Sequence, residues 1–311
     1  MRGHIGAATL GLICALSLTG CSDAGLTSDA AAATKPPAAG SPASSPATPR
    51  PTTTPPSAAT LGHLADASIN IIDGGHVGVG MPISVTFKRP IPTSERADVE
   101  RRLKVTADPG VTGAWAWIKD RNLHDGQRVD FRPRTYWRPG TKVSVTAGPS
   151  IARSFTVARS LVATVDVRTH KMTVVKDGAA TQTIPITAGR PGLDTWNGTM
   201  VVSDKQRRVY MDSRTVNIAD AYQGWYSYAV HLTTSGTYLH QNDRANTYAG
   251  RDNVTHGCIG LASDGTARRF YEQIIPGDVI RVINSKDRVA PGNGYGDWNL
   301  SWSEWRSRSA L

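Results

Sequence analysis

From about residue 65 to residue 157, apolar and polar positions alternate in short runs. Ile83, Val85 and Phe87 interleave with Ser84, Thr86 and Lys88, and Leu103, Val105 and Ala107 repeat the pattern. Ala114-Trp115-Ala116-Trp117, then Val129 and Phe131, Val143 and Val145, and Phe155 and Val157 complete the series. Pro-Gly at 109–110 and 139–140 and Asp-Gly at 125–126 punctuate it. Successive side chains on a strand point to opposite faces, so each run reads as a half-buried strand and each break as a turn. Short strands at this spacing predict a β-sandwich over residues 63–158. His63, His76 and His124 are isolated and read as surface or turn residues, and no His/Asp/Glu group here has catalytic or metal-ligand spacing.

A second β-rich block follows over residues 159–284. Leu161–Val167, Met172–Lys176, Gln182–Ile186, Met200–Val202, Ser227–Leu232, Thr237–His240 and Val279–Ile283 read as strands. One main helix interrupts them. Ala267, Phe270, Tyr271 and Ile274 fall at i, i+3, i+4 and i+7, with Ser263 or Asp264 placed to cap the start and Pro276-Gly277 to end it. Residues 285–311 form a tail with Trp298, Trp302 and Trp305, which would share a face on a helix. Docking of that face onto the protein is favoured over a sugar-binding platform. The fold class is therefore mainly β, with one sandwich, one β-rich domain and a Trp-rich tail.

The N-terminus changes the picture of where such a protein works. After Arg2 and His4, Ala7 to Leu18 is an apolar stretch of 12 residues. A spanning helix needs about 20, but a signal peptide does not. The stretch ends in Leu18-Thr19-Gly20-Cys21, which is similar to a bacterial lipobox and implies lipidation of Cys21 after removal of residues 1–20. Residues 21–62 are rich in Ala, Pro, Ser and Thr and carry too little apolar surface to offset the entropy of ordering. They read as a disordered tether that spans ~35 Å as a coil and ~120 Å when extended.

Charge and cysteine usage narrow the chemistry. The formal net charge of +10 attracts polyanions. Export argues against nucleic acid, so the charge either merely solvates the surface or serves a partner, of which an anionic cell wall is the natural one. Of three cysteines, Cys14 leaves with the signal peptide and Cys21 would carry lipid, so Cys258 stands alone. A lone thiol in an oxidising compartment is a candidate nucleophile. His240 lies a loop away and His256 next but one, in Thr255-His256-Gly257-Cys258-Ile259-Gly260-Leu261. Acyl transfer through a thiol needs a thiolate, a proton acceptor and oxyanion donors. An imidazole can supply the second and promote the first, and Gly257 allows a tight turn that aims amides at a carbonyl oxygen. A zinc site with an open position and a structural buried thiol are the alternatives that residue chemistry leaves open.

The segment from His240 to Leu261 resembles the signature of the L,D-transpeptidases of the YkuD fold, a histidine followed by Ser/Thr-His-Gly-Cys. Met211-Asp212-Ser213-Arg214-Thr215 is similar to a stretch of the actinobacterial members. Val129-Asp130-Phe131-Arg132-Pro133 and Tyr136-Trp137 resemble their immunoglobulin-like module, and Gly296-Asp297-Trp298-Asn299 resembles their tail. The resemblance implies Cys258 as the acylated nucleophile, His240 as general base and the Gln241 carbonyl as its orienter. It implies that His256 shapes the site, that Thr255 supports it, and that the amides of Gly257 and Cys258 hold the oxyanion. Tyr222 falls at the position of a flap tyrosine, Met211 would line the donor pocket, and Tyr238 would contact substrate. The implied reaction releases the terminal D-Ala of a tetrapeptide stem and forms a 3→3 peptidoglycan cross-link. No cofactor or metal is implied, and carbapenems would acylate the thiol. An L,D-carboxypeptidase and a non-catalytic wall-binding lipoprotein are the rivals. Gly260 departs from the family, whose members usually carry Asn or Arg there.

Overall fold

The structure, a computed structural model, describes Pro55, residues 57–216 and residues 222–311. The expected signal peptide, the lipidation site Cys21 and most of the tether lie outside the described residues. Helix α1 (Ala58–Ala65) takes in the last residues assigned to that tether. Ser57 caps it by accepting the Thr60 N–H at 3.0 Å, and Leu64 is buried against the sandwich core. The expected boundary at residue 62 is thus corrected to before residue 58. A cap and a single leucine that reaches the core outweigh a composition that reads as unstructured.

The sandwich comprises β1 (Ser68–Ile69), β2 (Gly75–Val77), β3 (Ile83–Thr86), α2 (Thr93–Glu100), β4 (Leu103–Asp108), β5 (Gly113–Trp117), β6 (Arg128–Pro133), β7 (Lys142–Ala147) and β8 (Ile151–Val157). Two four-stranded sheets, ordered β1-β3-β6-β5 and β2-β8-β7-β4, face each other. Val85, Val129, Val145 and Val157 fill the space between them together with Trp137, whose Nε1 donates to the Met81 carbonyl at 2.7 Å. Helix α2 has no apolar stripe to announce it. It is held by Val99 and by Glu100, which accepts the Trp117 indole N–H at 3.1 Å.

The second block comprises β9 (Leu161–Asp166), β10 (Lys171–Lys176), β11 (Ala179–Pro185), β12 (Gly198–Val201), β13 (Asp204–Asp212), β14 (Gln223–His231), β15 (Tyr238–Gln241), α3 (Ala245–Tyr248), β16 (Ile259–Leu261), α4 (Thr266–Gln273) and β17 (Val279–Ile283). Strands order as β11-β10-β9-β17-β12 in one sheet and β13-β14-β15-β16 in the other. The expected helix is α4. It buries Ala267, Phe270 and, just past its end, Ile274 between the sheets, where Phe270 alone contributes ~1.5–3 kcal/mol. Its N-cap residue is Gly265, while Asp264 Oδ1 accepts the Thr266 N–H from one position further out.

Two features join the halves. Gly78 and Gly80 lie directly on the 276–278 turn, with Gly78 N–H on the Pro276 carbonyl and Gly80 N–H on the Gly277 carbonyl, both at 2.8 Å. A Cβ on Gly78 would fall 2.4 Å from Asp278 N, so only glycine permits this approach. The tail is the second joint. It is not one helix, because Asp297–Asn299 is a 3₁₀ turn and α5 covers only Trp302–Arg306. Trp298, Trp302 and Trp305 still converge, at 4.7, 5.6 and 4.6 Å from the Arg132 guanidinium on β6. Trp305 is fully buried and donates to the Ala114 carbonyl at 2.9 Å. The tail is core for the outer face of β6.

Candidate active site

Cys258 sits immediately before β16, the edge strand that pairs in parallel with β15. The register Leu239↔Ile259, His240↔Gly260 sets the histidine-bearing strand beside the cysteine-bearing loop. Residues 187–190 pin that loop from the other side. Thr187 and Gly260 exchange both backbone bonds, at 3.1 and 2.8 Å, Thr255 N–H reaches the Ala188 carbonyl at 2.9 Å, and Arg190 N–H reaches the Thr255 carbonyl at 2.9 Å. Within the loop Thr255 Oγ1 donates to the Cys258 carbonyl at 2.6 Å. Gly257 turns at φ +106°, a conformation costly for any residue with a Cβ. No turn or loop hydrogen bond among the described residues consumes the Gly257 or Cys258 amide.

His240 Nδ1 lies 2.5 Å from the Gln241 carbonyl. A carbonyl can only accept, so Nδ1 carries the proton and Nε2 is left with a lone pair. The Tyr226 ring packs edge-on against this imidazole at 4.7 Å, and Tyr222 packs on His256 at 4.9 Å. His256 Nε2 is 2.9 Å from Arg190 Nη1, so it accepts from the guanidinium. The Cys258 sulfur lies 3.8 Å from the Gly236 carbonyl.

Three cavities meet here. One of about 320 Å³ is lined by Cys258, His240, His256, Thr255, Tyr226 and Asn242, among others. A second of about 240 Å³ passes His256, Gly257, Gly236 and Trp196. A third of about 240 Å³ runs under the β13–β14 hairpin past Met211 and Tyr238. Tyr222 lines all three. Its backbone is fixed at the loop end of the hairpin, where Ser213 Oγ accepts the Tyr222 N–H at 2.7 Å.

Burial dominates the electrostatics. It pushes the Cys258 thiol up to about 11, against hydrogen bonds from the Tyr238 backbone and the Tyr222 hydroxyl that favour the thiolate. It pushes the His240 imidazole down to about 4, against the bond to Gln241. Both shifts favour a resting pair of neutral thiol and neutral imidazole. Between the model-compound value of 6.5 and about 4, the unfolded chain binds a proton at His240 that the folded chain does not. Stability should accordingly fall by on the order of 3 kcal/mol as pH drops through that window. Denaturant titrations at pH 7 and pH 4.5 should show a smaller loss in His240→Gln than in the parent, and equal losses would disprove the assignment.

Comparison with known proteins agrees with this arrangement. Residues 160–283 match the family model for the L,D-transpeptidase catalytic domain, and residues 42–149 match that for a bacterial Ig domain. L,D-transpeptidase 1 of Mycobacterium tuberculosis is 33% identical over 221 residues, which is 70% of this chain and 84% of the relative. The chain belongs to the L,D-transpeptidase family. L,D-transpeptidase 2 of the same organism is 30% identical over 80% of this chain. The chain spans 63% of that relative and 56% of L,D-transpeptidase 5. Among solved structures, LD transpeptidase LdtMt1 in complex with imipenem superposes with a TM-score of 0.62, at 32% identity over 70% of this chain and 97% of that one. L,D-transpeptidase 3 of M. tuberculosis with a faropenem-derived adduct gives 0.60, at 30% identity over 69% and 96%.

In this family member the structure gathers Tyr222, His240, Thr255, His256 and Cys258 around one cavity and sets Met211 and Tyr238 around its neighbour. Tyr226, Asn242 and Arg190 join them without a signal in the sequence. Gly260 does not face a cavity. A Cβ there would lie 2.9 Å from Thr187 Cγ2 and 3.0 Å from Asn242 Cβ, so those residues fill the space a larger side chain would need. Gly260→Ala should cost ~1–3 kcal/mol by overpacking. Adding Asn242→Gly should return part of it, as read from denaturation midpoints.

Proposed function

We propose that the chain is an extracytoplasmic, lipid-anchored L,D-transpeptidase that forms 3→3 peptidoglycan cross-links through a thioester on Cys258. One observation carries the reading: His240 and Cys258 line the same cavity, and the Gln241 carbonyl occupies Nδ1 so that only Nε2 can take a proton. As the sulfur attacks the carbonyl of the third stem residue, Nε2 removes the thiol proton. The Gly257 and Cys258 amides stabilise the oxyanion. Collapse breaks the amide bond, the terminal D-Ala leaves as an amine with the proton from His240, and the thioester remains. The side-chain amine of a second stem's diamino acid then attacks, returns its proton through His240 to sulfur, and closes the cross-link. Proton transfer coupled to attack suits a resting pair that is neutral on both sides.

By analogy with the imipenem complex and the faropenem-derived adduct of the relatives, β-lactams should acylate the same sulfur. Intact mass spectrometry after incubation with imipenem should show one adduct mapping to Cys258, absent in Cys258→Ala. Purified tetrapeptide muropeptides should give cross-linked dimers. Tripeptide monomer alone would replace the transferase reading with an L,D-carboxypeptidase. No adduct and no turnover would leave a wall-binding lipoprotein.

A further inference from the structure

The β13–β14 hairpin has two faces of opposite character. Met211 and Tyr226 turn inward and belong to the cleft. On the other face the pairing Tyr210↔Trp225 and Asp212↔Gln223 lines up a different set of side chains, with Arg208 next in the row. Trp225 is 58% exposed and Tyr210 is 48% exposed. Their rings meet edge to face at 5.5 Å, and the Arg208 guanidinium lies 4.9 Å from the Trp225 ring. Tyr210 Oη donates to Gln223 Oε1 at 3.2 Å, and the same oxygen accepts from Arg214 Nη2 at 2.9 Å.

These contacts order a surface that is open among the described residues. Paired large aromatics left in water are a mark of an interaction surface. Its composition is selective. The flat rings suit the C–H face of a pyranose, and the planar amide and guanidinium groups around them suit hydroxyl and acetamido groups. A lipid surface is disfavoured, because charges of both signs, Asp212 and Arg208 with Arg214, rim only two rings. Position gives the second argument. Tyr210 also lines the cavity that contains Met211, Tyr222 and Tyr238. The surface is thus continuous with the cleft, and a stem peptide lying there brings its parent sugar to this rim.

We propose that the outward face of the hairpin, centred on Trp225, Tyr210 and Arg208, is a docking platform for the sugar backbone of the glycan strand whose stem peptide enters the cleft. The proposal rests on the functional reading above and adds a polymer contact to it. The test uses the full chain in two measurements. A neutral β-1,4-linked N-acetylglucosamine oligomer titrated calorimetrically into Cys258→Ala should give saturable binding, which Trp225→Ala in that background removes and Trp225→Phe partly keeps. In the active chain, Trp225→Ala should lower kcat/KM on glycan-linked tetrapeptide ~10-fold, with little change on the sugar-free stem. An equal loss on both substrates would assign Trp225 to the hairpin's own architecture and overturn the proposal. So would no loss on either, or binding to phosphatidylglycerol vesicles without binding to the oligomer. If the parent chain transfers neither substrate, the functional reading fails, and the oligomer titration decides the platform by itself.

Discussion

Replacing His240 with alanine is expected to slow acylation of Cys258 by a carbapenem roughly 10²–10⁴-fold. The size of the effect follows from the resting state. A thiol held at about 11 is ionised at pH 7 to only about one part in 10⁴. Productive attack must therefore hand its proton to a base, and His240, which lines the same cavity as Cys258, keeps the lone pair of Nε2 open for it. The variant should carry a specific signature. Its acylation rate should climb tenfold per pH unit over the neutral and alkaline range, as hydroxide takes over the proton, whereas the parent should be nearly flat above pH 5. His256→Ala should have the smaller effect, because His256 Nε2 already accepts from Arg190. Stopped-flow acylation across pH 5–10 reads all three. A His240→Ala chain that reacts at the parent rate would move the base elsewhere.

The largest loss of stability should come from Arg128→Met, at about 3–5 kcal/mol. Arg128 is 4% exposed and bonds Asp120 at 2.6 Å and Asp130 at 2.5 Å, as well as the Gly294 carbonyl at 3.1 Å. Removing the guanidinium strands two buried carboxylates. Asp297 in the same cluster should behave in the opposite way. Burial first, and then the charge of Asp130, hold its carboxyl well above the usual carboxylate range. Neither of its oxygens has a hydrogen-bond donor among the described residues, so only the charges of Arg128 and Arg132 favour the ionised form, and burial with Asp130 outweighs them. Asp297→Asn keeps the shape of the neutral acid and should be neutral or stabilising at pH 7–8, where the parent holds a proton that its unfolded chain releases. Denaturation midpoints of the two variants, compared at pH 7.5, test the contrast. A destabilising Asp297→Asn would mean that the carboxylate is charged and paired.

The same cluster shows where the sequence was readable and where it was not. Alternation located the sandwich strands because one face of each meets a common core, as Val129 and Phe131 do on β6. It implied that Arg128, Asp130 and Arg132 faced water, yet all three are buried. A second layer, the tail with Tyr295 and its tryptophans, covers that face, and periodicity carries no information about such a layer. The β13–β14 hairpin was legible only in part for the converse reason. Residues 204–208, Asp-Lys-Gln-Arg-Arg, are polar on both faces, so no alternation marks the strand. At the site, residue chemistry alone left nucleophile, metal and structural thiol open, and the family motif was what pointed to His240 and Cys258. Among the described residues no group of three or more His, Cys, Asp or Glu is placed to hold a metal. Tyr226 and Asn242 reach the cavity through register and a missing Cβ at Gly260, neither of which a motif records.

Tyr222 is a partition shared by three compartments, and this bears on which inhibitors fit. A rigid wall would set a separate size limit for each compartment. A single ring, tethered at its backbone by Ser213 but held at its face mainly by other rings, can yield to all three at once. If β-lactams acylate Cys258 as proposed, their bulk should be judged by the work of swinging one aromatic ring, not by the volume of any one compartment. Scaffolds of dissimilar shape that displace the ring equally should compete on nearly equal terms.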